Sequence, residues 1–220
     1  MSFLGNTFCT DECISDEDCP DTMTCMDMAP LGGSGSWCVL IGEGTDLEPS
    51  DPISGSARYH ADEALAAAQD DWAQDAYLVA VGSHDIGVSG LLEEPGSSWY
   101  YTFLADSVPN NQIEIEVTAE GAGDFWETGY DPDFGPMDMD LLAGMTWRFD
   151  SHDLYPLASP HGAAEFVSLN PDAEASYNLS GGTFFGDDTA IWSVAYTASD
   201  LSDMWLGAFD AETGAFIDMF

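Results

Sequence analysis

Four aspartates in the stretch DPDFGPMDMD, Asp131, Asp133, Asp138 and Asp140, are placed to offer oxygen ligands to a hard cation, and calcium suits such a set. The spacing is not that of an EF-hand loop. That loop needs a third acid at its fifth position and a bidentate Glu at its twelfth, where this chain has Gly135 and Leu142. A second acidic group, Asp16, Glu17, Asp18 and Asp21 in DEDCPD, lies among cysteines that would hold its ligands in place. With 41 Asp and Glu in the chain, such groups also arise as solvated acidic loops, and both readings stand. Ser83, His84 and Asp85 are adjacent in GSHD, but a catalytic triad converges from different elements. No nucleophile, base and metal constellation is visible, so the chain is expected not to be an enzyme and to need no cofactor beyond calcium. The tripeptide Asn178-Leu179-Ser180 matches a glycan acceptor.

Charge narrows the partners. Against those 41 acids stand only Arg58 and Arg148, with no lysine, for a formal net charge of -39. Self-repulsion on this scale opposes compaction unless salt or divalent cations screen it, which points to saline surroundings. Nucleic acid and anionic lipid head groups are excluded as partners, because both are held by Lys and Arg. A cationic partner fits. No run approaches the roughly 18 apolar residues of a membrane span.

The five cysteines, Cys9, Cys13, Cys19, Cys25 and Cys38, follow the spacing C-x3-C-x5-C-x5-C-x12-C within the first 38 residues. No C-x-x-C pair is present and no histidine precedes His60, so a disulfide framework is expected rather than zinc. An oxidising location, secreted or on a bacterial cell surface, follows. The opening MSFLGNTF has no basic start and no long apolar core, so the export signal is expected to lie outside this numbering. An odd count leaves one thiol free or joined to another chain, and the pairing stays open.

Composition divides the chain into a Cys-rich module over 1–44, a linker over 45–56 and two related halves, 57–122 and 149–220, separated by an acidic, aromatic insertion over 123–148. In the first half HADEALAAAQDDWAQDAY places Leu65, Ala68, Trp72 and Ala76 on one helical face, with Asp62 and Glu63 in the first turn. YLVAVG, SWYYTF and QIEIEVT follow as antiparallel strands, with Trp99, Tyr101 and Phe103 and then Ile113, Ile115 and Val117 turned inward. The second half repeats the order: DSHDLYPLASPHG as a helix shortened or broken by Pro156 and Pro160, AEFVSL in the first strand's place, IWSVAY, and a closing hairpin. Trp99, Tyr101, Phe103, Trp192 and Tyr196 are expected in the core. Trp126, Tyr130 and Phe134, in the insertion, are expected to be exposed, and His152 and His161 to lie at the surface.

Two motif series carry a family resemblance. DEALAAAQ with SSWYYTF and IEIEV in the first half, and WSVAY with FDAETGAFI in the second, resemble the PepSY and PepSY-like domains of secreted bacterial proteins. Asp210, Thr213 and Gly214 match that family's closing D-x-x-T-G hairpin, and DEDCPDTMTC resembles short Cys-rich repeats of secreted bacterial proteins. The resemblance implies an α+β, cystatin-like fold in each half, a helix on a small antiparallel sheet, and binding or inhibition rather than catalysis.

Two functions follow from these readings. One is an extracellular structural subunit that self-associates by strand addition into a fibre or matrix, favoured by the unpaired cysteine and by terminal segments able to extend a sheet. The other is a secreted binding or protease-inhibitory module.

Overall fold

The computed structural model describes residues 2–3, 6–7, 12–13, 23–27, 36–40, 47–93, 95–129, 147–181 and 190–217. Within the first 46 residues this is backbone pairing only. β1 (Ser2–Phe3) pairs with β2 (Asn6–Thr7). β3 (Glu12–Cys13), β4 (Met23–Asp27) and β5 (Ser36–Leu40) form a three-stranded antiparallel sheet in the order β3-β5-β4. Cys25 stands opposite Cys38 and Cys13 opposite Ser36. Cys9 and Cys19 lie outside the described residues.

The rest is α+β. α1 (Ala57–Asp71) precedes β6 (Tyr77–His84), β7 (Ser98–Leu104), β8 (Asn111–Thr118) and β9 (Gly121–Gly129). A 3-10 turn (Ser151–Asp153), α2 (Leu154–Ala158), a second 3-10 turn (Ser159–His161) and α3 (Ala163–Leu169) then lead into β10 (Glu174–Gly181), β11 (Ala190–Thr197), β12 (Met204–Asp210) and β13 (Phe216–Ile217). β6 to β13 make one antiparallel sheet in the order β13-β12-β11-β10-β6-β7-β8-β9. Each half is a four-stranded meander, and the two meet through their first strands, β6 and β10, with Leu179 opposite Val81. The repeat reaches into the core. Trp99 on β7 donates its indole N–H to the carbonyl of Gly55 and Trp192 on β11 donates to that of Phe149, both at 2.9 Å and both just ahead of the helical segments.

Alternation decides which side of the sheet is covered. Trp99, Tyr101, Phe103, Ile113, Ile115, Val117, Trp192, Val194 and Tyr196 point to one face and are essentially inaccessible, as a period of two requires of a half-buried sheet. α1 packs on that face over β6 to β9 and α3 over β11.

Five expectations need correction. α1 begins at Ala57, so Asp62 and Glu63 fall beyond its first turn, which contains no acid. The first-turn amides are satisfied from the other half instead: Ala57 N donates to Ser151 Oγ at 3.0 Å and Arg58 N to Asp150 Oδ1 at 2.9 Å. AEFVSL is helix α3 rather than a strand. Its place in the meander is taken by β10, where Ala175, Tyr177 and Leu179 alternate inward. The break falls at Gly162 (φ 98°), left-handed backbone that suits glycine, two residues after Pro160. β9 carries regular structure to Gly129, inside the expected insertion, because its residues pair with β8. His152 is no surface residue: its side chain is 12% exposed and packs beside Asp150 and Asp153. The end of the expected linker is also built into the fold, since Ser56 is fully buried and donates through Oγ to Asp150.

Candidate interaction surface

The face of the sheet opposite the helices offers side chains to a partner. On β7 and β8, Tyr100 stands opposite Glu116 and Thr102 opposite Glu114; on β9, Trp126 stands opposite Glu114. Tyr100 Oη donates to Glu116 Oε1 at 3.1 Å, and the rings of Tyr100 and Trp126 lie 6.2 Å apart, tilted by 42°. The His84 ring approaches Tyr100 edge-on at 6.4 Å. Trp126 is 44% exposed, in keeping with its expected exposure. Glu114 has its carboxyl pushed above the usual range by desolvation and by the like charge of Glu116. Both effects disfavour the ionised form, and among the described residues no cation pairs with either carboxylate. The β10–β11 part of the open face is flatter and smaller in its side chains, with Ser176, Asn178, Ser180 and Ser193 all exposed.

The two ends of the sheet differ. At one end β13 pairs with β12 only at Ala208 and Phe209, so Met204 to Gly207, paired with β11 on their inner side, have no strand on their outer side among the described residues, and Met204 and Leu206 stand exposed there. At the other, β9 is the outermost strand. Its first part is blunted: the register shifts between Ile115 and Val117 of its partner β8, and Glu63 from α1 accepts the amide of Ala122 at 3.1 Å. From Phe125 onward its outer side pairs with no strand among the described residues, and Phe125 and Trp126 are exposed. Glu127 is held there by Trp72 Nε1 and Asn111 Nδ2.

No deep pocket accompanies these surfaces among the described residues. One hollow of about 190 Å³ lies between residues 169–172 and 198–200, and one of about 120 Å³ lies over Asn178, Ser193 and Leu206. Small-molecule sites run to about 300–1,000 Å³. No family model, curated protein or solved structure matches the chain. Its function is therefore argued from this geometry.

The residues singled out in the sequence are distributed as follows. Asp131, Asp133, Asp138 and Asp140 lie outside the described residues, as do Tyr130, Phe134 and the acids of DEDCPD. Asn178 is exposed at mid-strand on β10, between β11 and β6, with Ser180 exposed on the same face. Ser83, His84 and Asp85 do not converge. Ser83 Oγ accepts the Tyr177 amide at 2.8 Å, whereas His84 turns to the opposite face and meets Asp85 at 3.4 Å. The D-x-x-T-G hairpin works through Asp210, whose Oδ1 accepts the amides of Glu212 and Thr213 at 2.9 and 2.7 Å, while Gly214 closes the turn at φ 69°.

Two features escaped the sequence reading. The buried polar node of Ser56, Asp150, Ser151 and Asp153 joins segments over 90 residues apart, so no local spacing announces it. The Tyr100–Glu116–Glu114–Trp126 patch was hidden because Trp126 was assigned to a loop. The outward Glu114 and Glu116 of QIEIEVT were its one visible sign.

Proposed function

We propose that the protein is a non-enzymatic secreted or surface structural protein whose copies join by adding strands at the two ends of the sheet. The observation that carries this reading is the outer edge of β12 over Met204 to Gly207, which pairs with no strand among the described residues and carries the exposed Met204 and Leu206, set against an opposite end that exposes Phe125 and Trp126. Edge strands of this kind are templates for pairing. Along the sheet from β12 to β9 every neighbour is antiparallel, and the six steps leave both strands pointing the same way. A translated copy would thus bring β12 alongside β9 in parallel, with the helical layers on one side. Such a head-to-tail contact does not close and gives an open filament.

A charge of -39 on each copy opposes the contact, so assembly depends on screening, which shortens from about 8 Å at physiological salt to about 3 Å at 1 M. The test is light scattering with negative-stain microscopy over rising NaCl and calcium, on the wild type and on a Met204→Glu/Leu206→Glu variant. Ordered polymers that the variant fails to form support the reading. A monodisperse monomer of 23.6 kDa under every condition overturns it. The second reading, a PepSY-like binding or inhibitory module, draws on the helix-then-meander order of each half and the Asp210 hairpin, and it requires that monomer.

A further inference from the structure

We propose that the open sheet face at Tyr100, Glu114, Glu116 and Trp126 is a docking surface for an arginine-bearing cationic segment of a partner protein. The patch combines two elements that a guanidinium recognises together: carboxylates two residues apart on the same face of β8, and a pair of aromatic faces within 6.2 Å of each other on the strands either side. A planar guanidinium stacks on an aromatic ring while its N–H fork reaches a carboxylate, a match that a compact ammonium makes less well. Charge complementarity points the same way. Glu114 and Glu116 stand side by side on the open face with no counter-charge among the described residues, and a bound cation offsets the like-charge repulsion that adds to desolvation in pushing the Glu114 carboxyl up.

The cation must come from another molecule with more positive charge than this one carries. The chain has no lysine and two arginines, of which Arg58 is engaged through Nη1 with the carbonyl of Arg148. A second copy could offer only Arg148 and the remaining N–H groups of Arg58.

The test is fluorescence anisotropy in 0.15 M NaCl with a fluorescein-labelled peptide of alternating Gly and Arg, against the same peptide with citrulline in place of arginine. Citrulline keeps the shape and the hydrogen-bonding edge but not the charge. Glu114→Gln/Glu116→Gln is expected to weaken binding about tenfold, the combined effect of two partly exposed ion pairs. Trp126→Ala, which leaves the charge unchanged, is expected to weaken it roughly two- to fivefold, and Trp126→Phe to restore part of the loss. The control is Asp172→Asn/Glu174→Gln, two exposed acids of the second half outside the patch. Equal weakening by the control and by the Glu114/Glu116 pair means attraction to the overall charge alone, and overturns the proposal. So does binding indifferent to Trp126, or equal binding of the citrulline peptide. Self-association without peptide that is lost in Glu114→Gln/Glu116→Gln and in Arg58→Gln or Arg148→Gln would make a second copy the occupant, and also overturns it. The edge variant Met204→Glu/Leu206→Glu should bind the peptide normally, which separates this surface from the β12 edge of the proposed assembly.

Discussion

Asp150→Ala should be among the most destabilising single substitutions in this protein. The Asp150 carboxylate is fully buried and accepts from Ser56 Oγ, from Arg58 N at 2.9 Å and from Ser151 N at 2.7 Å, so it caps α1 from the other half of the chain. Truncation leaves three donors without a partner, Ser56 Oγ and Ser151 N buried and Arg58 N half-buried. Each such group costs about 1–3 kcal/mol, which sets the loss at roughly 3 kcal/mol or more. That is a large part of the 5–15 kcal/mol typical of a domain. A second term has the opposite sign, because removing one negative charge from a chain at -39 relieves repulsion. Urea unfolding in 1 M NaCl, followed by tryptophan fluorescence, suppresses that term by shortening screening to about 3 Å. Asp150→Asn keeps one acceptor oxygen for the two amides and should cost only about 1 kcal/mol. Amide exchange supplies a local readout: protection at Ala57 and Arg58 should fall in the Ala variant ahead of the rest of α1. A loss below about 1 kcal/mol in Asp150→Ala, or unchanged exchange at the first turn of α1, would refute the capping role.

Three further outcomes are expected. Gly90→Ala should destabilise by more than about 3 kcal/mol, because a Cβ there would meet the Ser151 carbonyl oxygen at 2.2 Å on a backbone at φ 69°; Gly96→Ala, at φ 98° with open space around it, should cost only about 1 kcal/mol in the same urea titration. The wild-type urea midpoint should rise between 0.1 and 1 M NaCl, and an unchanged midpoint would show that the acids are spread too widely to repel. Glu114→Gln should raise the midpoint at pH 7: a carboxyl raised in the folded state contributes stability below its unfolded pKa, and that contribution is lost as pH rises through the folded value. The advantage of Gln should shrink as pH falls below the ordinary Glu range, and an advantage independent of pH would contradict the assignment.

Strand content was legible wherever alternation was strict. SWYYTF and QIEIEVT became β7 and β8 with the expected inward residues, and IWSVAY became β11, because a half-buried strand must repeat every two residues. AEFVSL misled because its apolar residues also satisfy a short helix, and a run of that length carries no period of its own to decide between the two. Trp126 was assigned to a loop because GDFWETG is rich in glycine and acid and resembles no core strand. It forms one at the end of the sheet, where a single neighbour, β8, sets its register.

The sequence by itself determined a folded, highly acidic chain, the inward aromatic strands β7, β8 and β11, a helix ahead of the first strands and a closing hairpin at Asp210. All of these depend on local spacing and composition. Only the tertiary structure decided that β6 pairs with β10, that Asp150 caps a helix starting at Ala57, and that Tyr100, Glu114, Glu116 and Trp126 share one open face. Contacts between residues some 90 positions apart leave no local pattern. They form because the buried carboxylate of Asp150 must find hydrogen-bond partners, as must the buried indoles of Trp99 and Trp192, whose acceptors lie 44 and 43 positions away, and each partner is chosen by the packing of the whole sheet.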